Sequence, residues 1–305
     1  CPLLYGCNLS AVFVIGFGQI KNRKQLQILL TDCIRTAKDR DYFSFSSEGD
    51  FIFVECCKEF AEGMGIVVRG EFDENNNYIY DYYFPYLRGN YISSEEDISI
   101  ERHAEKESYA GICDDLRLGV SLIFYFQNVI SYLKYKENNQ LPVRGTSLSL
   151  SALSCQGTVL MPIIKNEKQK KKVRQASKNR NHLIAAARNG DEEAIENLTL
   201  EDMDTYTTIS RKIRKEDVFS IVDTCFMPYG VECDQYSILG EIMECQKLQN
   251  QLTGEQVYHM VINCNDLVFD LCINEEDLLG EPEAGRRFKG IIWMQGFINF
   301  PDMVT

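Results

Sequence analysis

The sequence has few of the residues, and none of the complete short motifs, on which the common enzyme classes depend. It contains three histidines and one tryptophan among 305 residues. No pair of its twelve cysteines has C-x-x-C spacing, which structural zinc sites usually show. The chain also lacks G-K-[ST], a complete G-x-G-x-x-G and G-x-S-x-G, so the common phosphate-binding loops and the serine-hydrolase elbow are excluded. The sequence therefore assigns no catalytic residue and indicates no cofactor.

The pair His103 and Glu105 is the remaining candidate for metal chemistry, because its H-x-E spacing is that of the zinc deaminases. That chemistry also needs P-C-x-x-C, and no proline precedes a cysteine in this chain. A nucleophilic dyad of Cys113 with His103 is disfavoured, since Asp114 and Asp115 follow the cysteine and would raise its pKa. We expect this segment to be a charged surface rather than an active site.

The sequence predicts a cytoplasmic protein with no membrane span. Its first apolar run is only about 16 residues long and is interrupted by Asn8 and Ser10, which is too short and polar for a spanning helix. Several cysteines lie inside apolar runs, where a thiol packs as a small hydrophobe, as is usual in a reducing cytosol. His182 and His259 have no candidate partner nearby in sequence, so we expect both to be structural.

Hydrophobic periodicity predicts an α+β domain over residues 1–164. Residues 21–40 have helical spacing, with the apolar face Leu26, Leu29, Leu30, Cys33 and Ile34. The runs FIFVECC, MGIVVRGEF and YIYDYYFPY have strand composition and are separated by turn residues, which predicts an antiparallel meander. From Asp114 or Asp115 onward, the apolar stretch to Asn139 predicts one long helix beneath that sheet. TSLSLSAL and GTVLMPII then predict two short strands.

The rest of the chain predicts a helical connector over residues 165–216 and a small β-barrel over residues 217–305. In the connector, Gly190 is expected to end one helix, and Thr199 with Asp202 forms a capping box that predicts a new helix start. Four strand-like segments between QYSILGEIMECQKLQ and RRFKGIIWMQGFI are consistent with a compact five-stranded barrel of OB-like or SH3-like shape.

Charge is distributed unevenly along the chain. Residues 165–180 contain eight Lys or Arg against one Glu, a local charge of +7, although the whole chain carries −13. One interpretation is a solvated helix that contacts the acidic remainder of this chain or a sister subunit. The other is a contact with nucleic acid, for which the candidate residues are Lys170, Lys171, Lys172 and Arg174.

Two strands carry candidate binding surfaces. One strand face combines the aromatic residues Tyr78, Tyr80, Tyr82, Phe84 and Tyr86, which could stack on a ligand or partner but more often form a core face. The other candidate is a basic and aromatic strand that could contact single-stranded nucleic acid on an OB-type barrel, with the residues Arg286, Arg287, Lys289 and Trp293. Trp293 could equally belong to the barrel core.

Several stretches resemble a clostridial Firmicutes family known as domain of unknown function 3881. They are YYFPYLRG, ERHAEKESYAG, SLIFYFQN, NRNHLIAAARNGDEEAIENLTLEDMDTYTTISRKI, FMPYGVECDQYSILGEI and GRRFKGIIWMQGFINF. The resemblance covers nearly all the chain from about Gly16 onward. It implies a bacterial cytoplasmic protein and suggests that residues 1–9 are a start-site extension. It implies no activity, cofactor or site residue.

These observations lead to three hypotheses of function. The first is a non-enzymatic adaptor that binds a protein partner or self-associates, because catalytic motifs are lacking while aromatic and charged stripes are plentiful. The alternative is binding of RNA or single-stranded DNA through the basic connector and the barrel. The third is a metal-dependent enzyme centred on His103 and Glu105.

Overall fold

The computed structural model describes residues 12–44, 52–72, 78–102, 108–118, 120–141, 145–163, 167–212, 217–230 and 233–301. Its helices are α1 Arg23–Thr36, α2 Val129–Glu137, α3 Glu167–Arg188, α4 Glu192–Lys212 and α5 Val218–Ile221. Its strands are β1 Asp39–Ser44, β2 Ile52–Ala61, β3 Met64–Phe72, β4 Tyr78–Leu87, β5 Ile98–Arg102, β6 Tyr109–Cys113, β7 Leu122–Phe126, β8 Ser147–Leu160, β9 Cys225–Pro228, β10 Gln235–Gln249, β11 Gln256–Cys264, β12 Leu267–Asn274, β13 Leu278–Leu279 and β14 Arg287–Asn299. The protein is therefore α+β.

The predicted N-terminal helix and the three predicted strands of the meander are confirmed, whereas β1, where part of the helix was expected to continue, was not predicted. Helix α1 begins after Asn22, whose side chain accepts a hydrogen bond from the backbone N–H of Gln25 at 3.0 Å. Strands β1 to β4 pair in chain order into a four-stranded antiparallel sheet. Helix α1 packs on this sheet through the apolar face that the spacing predicts, formed by Leu26, Leu29, Leu30 and Cys33.

The predicted barrel is confirmed as a closed cycle of five strands, and its fifth strand comes from the earlier part of the chain. Strands β10, β11 and β12 form a meander, and β14 pairs with β10. Strand β8 closes the cycle, because it runs parallel to β12 and antiparallel to β14. The two short strands expected in this region are one strand. Gly157, where the second strand was expected to begin, lies within β8 and packs closely on β14, since a Cβ there would lie 2.3 Å from the ring of Phe288.

The prediction of one long helix after Asp115 is wrong. Residues Leu122–Phe126 form strand β7, which pairs in parallel with the end of β14, and only Val129–Glu137 are helical. A strand that is buried on both faces reads as a continuous apolar run, and periodicity alone does not separate it from a buried helix. Strands β5 and β6 continue this sheet beyond β7.

Two hydrophobic cores share the barrel wall. Alternate residues of the barrel strands point inward, for example Ile292 and Met294 of β14, and they join the interior core. The residues between them point outward and pack against the meander and α1, for example Trp293 and Leu153. Trp293 is therefore buried outside the barrel, where its indole N–H donates to Asp234 at 2.8 Å.

Arg69 of β3 connects the meander to the junction between β7 and α2. Its side chain is fully buried and donates to the Glu55 carboxylate at 2.6 Å and to the Tyr82 hydroxyl at 2.7 Å. A third donation, at 2.5 Å, reaches the backbone carbonyl of Gln127. Burial acts to lower the pKa of Arg69, but Glu55, Tyr82 and Tyr125 together outweigh it and the pKa is raised, so the guanidinium stays charged.

We expect Arg69→Met to lower the free energy of unfolding by about 3–5 kcal/mol, because it leaves the largely buried Glu55 carboxylate without its cation. Arg69→Met combined with Glu55→Met should recover part of that loss, since a hydrophobic pair of similar volume avoids the desolvation cost. Urea denaturation measures both.

The matched control is Arg35→Met, which removes an exposed ion pair with Asp32. We expect it to change the free energy of unfolding by about 0–1 kcal/mol. If Arg69→Met changed stability no more than Arg35→Met does, Arg69 would not hold the two parts of the fold together.

Candidate interaction surface on the helical hairpin

Helices α3 and α4 form an antiparallel hairpin outside the two cores. The turn between them contains Gly190 at φ 86°, as the prediction of a helix end at this glycine requires. Asp191 caps α4 by accepting a hydrogen bond from the N–H of Ala194 at 3.1 Å. The predicted new helix start at Thr199 is wrong, because α4 is continuous there and the Thr199 hydroxyl donates back to the carbonyl of Ile195.

The hairpin lies against the barrel through α3. The Ser177 hydroxyl donates to the carboxylate of Asp266, in the turn between β11 and β12, at 2.8 Å. Near the hairpin turn, Arg188 donates to the backbone carbonyl of Asp114 at 3.2 Å. Because α3 makes both of these contacts with the body of the protein, α4 is the outer helix of the pair.

The outer helix exposes large apolar side chains. Among the described side chains of the hairpin, Ala194 alone is buried. Four residues of α4 lie within roughly 140° of the helix surface at 100° per residue and are strongly exposed, namely Ile195 (48%), Leu200 (56%), Met203 (62%) and Tyr206 (75%). We call these four residues the α4 stripe. Single exposed apolar residues need no explanation, but a contiguous stripe marks an interaction site.

A groove of about 590 Å³ runs beside the stripe, between the two helices. It is lined by Asn179, His182 and Leu183 of α3 and by Asn197, Leu200, Glu201 and Asp204 of α4. His182 is exposed there. Arg180 bridges the helices by an ion pair with Asp202 at 2.8 Å, so part of the charge of α3 is neutralised inside the hairpin.

Charge is polarised along the hairpin. The base of the hairpin, residues 167–175 with 205–212, carries +6, whereas the tip, residues 176–204, carries −4. Of the predicted basic contact residues, Lys171 and Lys172 are exposed. Lys170 and Arg174 belong to the helix, but their side chains lie outside the described part of the structure. The two ends of the hairpin therefore present opposite charge to solvent.

The basic strand of the barrel is mostly engaged within the chain. Arg287 is buried and donates to the carbonyls of Met161, Val222 and Phe219. Lys289 lies 4.3 Å from the centre of the Phe219 ring. Arg286 pairs with Glu283 at 2.8 Å, and Trp293 is buried as described above. These side chains tie α5 and the end of β8 to the barrel.

The aromatic strand β4 is divided by its position in the sheet. Tyr82, Phe84 and Tyr86 are buried, and the rings of Tyr82 and Phe84 lie 5.6 and 4.8 Å from the guanidinium carbon of Arg69. Tyr78 is half-buried, and its hydroxyl donates to backbone carbonyls of β2 and β3. Tyr80 is 37% exposed. Most of the aromatic face of β4 is therefore buried in the core.

Of the residues considered for catalysis, only Cys113 lies in the described part of the chain. His103 and Glu105 lie in residues 103–107, outside the described part of the chain. Cys113 is fully buried, and burial raises the pKa of its thiol to about 11. His259 packs in the barrel wall, with Nε2 2.7 Å from the fully buried carboxylate of Asp270. Sequence inspection missed that pair because the two residues meet only through the register of β11 and β12.

The α4 stripe was also missed, although the sequence contains a signal for it. Ile195, Leu200, Met203 and Tyr206 recur at spacings that fall on one side of a helix. A capping-box match at Thr199 divided the segment in two and concealed this continuity.

The fold and surface define an α+β protein with a closed five-stranded barrel and an outer helical hairpin with a solvent-exposed apolar stripe. The chain belongs to the family described as "Domain of unknown function, E. rectale Gene description (DUF3881)", whose model matches residues 12–296. No curated protein matches the chain. No solved structure matches it either. Within the described residues, none of the helices has both the length and the apolarity of a membrane span.

The buried carboxylate of Asp115 lies next to the contact between α3 and the barrel, so it can be used to test the stability of that region. Asp115 is 2% exposed and accepts hydrogen bonds from Arg117 and from the Ser94 hydroxyl. Arg117 in turn donates to the backbone carbonyl of Asp266, the residue that receives Ser177 of α3. Burial acts to raise the pKa of Asp115, but Arg117 outweighs it and holds that pKa below its usual value.

We expect Asp115→Asn to lower the free energy of unfolding at pH 7 by about 1–3 kcal/mol, since it weakens charge-assisted hydrogen bonds in a buried site. A lowered pKa in the folded state stabilises the protein above the pKa of the unfolded state and ceases to do so as pH falls through the folded value. The difference from wild type should therefore be largest above the unfolded pKa of about 4 and should shrink as pH falls through the lowered pKa of the folded state. Denaturation midpoints across this pH range measure it.

The control for this series is Asp114→Asn, at the exposed neighbouring position. It should have a small effect at every pH. A difference between Asp115→Asn and wild type that stayed constant with pH would contradict the assignment of an ionised Asp115 in the folded protein.

Proposed function

We propose that the protein is a non-enzymatic adaptor that binds a protein partner through the outer face of its helical hairpin. The observation that carries this proposal is the α4 stripe, four large apolar side chains exposed on a helix that the body of the protein does not cover. A helix laid against the stripe could use the groove next to it, as amphipathic helices do in helix-in-groove recognition.

The energetics support a partner at this surface. Full burial of one large apolar side chain contributes roughly 1.5–3 kcal/mol. The four residues of the stripe are each about half exposed or more. A partner that covers all four would therefore gain a part of this burial free energy from each of them. Aromatic residues and Met are also enriched at the centres of protein interfaces, and Tyr206 and Met203 are the most exposed members of the stripe.

The setting that we propose for this function is the bacterial cytoplasm. All ten cysteines in the described residues are free, and a chain that keeps many unpaired thiols fits a reducing compartment. Burial raises the pKa of several of these thiols, including Cys57 to about 11 and Cys264 to about 12. Such thiols act as small packing groups rather than as thiolate nucleophiles near neutral pH.

A second candidate function is binding of RNA or single-stranded DNA through the basic connector. It is favoured by one observation, the exposed lysines of α3, which are Lys168, Lys171, Lys172 and Lys178. The five-stranded barrel is of the size of OB-like folds, but its basic strand is engaged with the chain itself. The adaptor function is therefore preferred.

For the adaptor function, we expect the double variant Met203→Glu/Tyr206→Glu to lose its partner, because it places two carboxylates in the apolar contact. The measurement is capture by the tagged full chain from nuclease-treated lysate, with quantitative mass spectrometry. One protein should be recovered near stoichiometrically with wild type and lost with the double variant.

The matched control is Thr208→Glu, which adds a carboxylate to an exposed position of α4 about 200° around the helix from Tyr206. This control should retain the partner. Equal recovery with wild type, the control and the double variant would contradict a role for the α4 stripe.

For nucleic-acid binding, the triple variant Lys170→Glu/Lys171→Glu/Lys172→Glu distinguishes the two functions. If the connector neutralises phosphates, the slope of log affinity against log salt should fall by about one for each lysine replaced. Fluorescence anisotropy with a labelled oligonucleotide measures that slope. An unchanged slope and affinity in the variant would exclude the connector as the nucleic-acid contact.

A further inference from the structure

Helix α4 is complementary to itself when two copies are placed antiparallel. Its first turns carry Glu192, Glu193 and Glu196, and its last turn carries Arg211 and Lys212, all of them exposed. The apolar stripe lies between these two ends. Acidic residues at a helix start and basic residues at its end also favour the helix dipole, but the dipole gives no reason for exposed apolar residues between them.

We infer that the partner covering the α4 stripe is a second copy of this chain, with the two hairpins packed antiparallel about a two-fold axis. This inference rests on the proposed function, because it uses the same surface. A two-fold axis makes each contact occur twice with the roles exchanged. One helical face can therefore form a closed interface with its own copy.

The spacing of the stripe sets the register of this dimer. Ile195 and Tyr206 are eleven positions apart, which is about 16 Å along a helix. An axis that crosses α4 near Leu200 places Ile195 of each copy opposite Tyr206 of the other. Leu200 and Met203 then lie close to the axis, where two copies of each are buried together.

The same register brings opposite charges together at both ends. With the axis near Leu200, Glu192 and Glu193 of each α4 lie within about one turn, along the helix, of Arg211 in the second copy. The charge of the whole hairpin agrees, since the base carries +6 and the tip −4. A parallel arrangement would bring the two positively charged bases together, and their repulsion would destabilise it. Electrostatics therefore favours the antiparallel dimer.

The test is the mass of the nuclease-treated full chain in solution, measured by sedimentation velocity over a range of concentrations. One chain has a mass of 35.1 kDa, so we expect a species of about twice that mass, which dissociates on dilution. Met203→Glu/Tyr206→Glu should be monomeric at concentrations where Thr208→Glu remains dimeric. Circular dichroism checks that the variants keep their helix content.

Charge reversal tests the antiparallel register. Glu192→Lys/Glu193→Lys alone, or Arg211→Glu/Lys212→Glu alone, should weaken the dimer about tenfold or more, because like charges then meet at both ends. Mixing the two variants should restore a dimer of wild-type strength, in which each chain supplies the charge that the other lacks.

The outcomes separate this inference from the proposed function. A wild-type chain that stays monomeric at all concentrations overturns the inference, as does a dimer that neither the stripe variant nor charge reversal weakens. If the chain is monomeric but the stripe variant still loses a different captured protein, the adaptor function stands. Failure of mixing to restore the dimer overturns the antiparallel register.

Discussion

The fold depends on the buried guanidinium of Arg69, which forms a charged link between the four-stranded meander and the β7–α2 junction. A charge in a dry interior is tolerated only when it is paired and its donors are satisfied. Glu55 and Tyr82 satisfy two of these donors from within the meander, and the carbonyl of Gln127 satisfies one from the β7–α2 junction. This geometry fixes the position of the meander on the outer wall of the barrel.

Buried amide groups extend the same connection towards the barrel. The Gln127 side chain donates to the Gln295 side-chain oxygen at 2.8 Å, and Gln295 donates to the carbonyl of Pro85 at 2.8 Å. Ser151 of β8 donates to the carbonyl of Leu87 at 2.6 Å. Gln127 also donates to the carbonyl of Leu87 at 3.0 Å, so the end of β4 is bonded to β8, β14 and the β7–α2 junction. Buried networks of this kind favour one arrangement of two apolar surfaces that could otherwise slide.

Barrel closure explains why the hairpin lies outside the cores. Strand β8 closes the barrel with β12 and β14, yet β10, the next barrel strand in the chain, begins only at Gln235. The segment that connects β8 to β10 therefore lies outside the barrel, and helices α3 and α4 make up most of it. The barrel needs no side chain from α4. The outer face of α4 is therefore free to carry the apolar stripe and charged ends on which the proposed adaptor function depends.

Local pattern alone predicted the elements whose apolar residues repeat with a clear period. The α1 face, strands β2 to β4 of the meander, the four later barrel strands and the helix end at Gly190 follow from side-chain period and turn chemistry, which depend only on neighbouring residues. The tertiary structure decided the rest. Strand β7 is a strand because β14 and β6 lie beside it, and its buried residues, which include Phe124 and Tyr125, cover both faces of the sheet. The ion pair of Arg69 with Glu55, and the hydrogen-bonded contact of His259 with Asp270, arise from strand register. A helical pattern does not show whether the apolar residues of α4 are buried or exposed. That depends on which other elements pack against the helix, and such contacts join residues that are far apart in sequence.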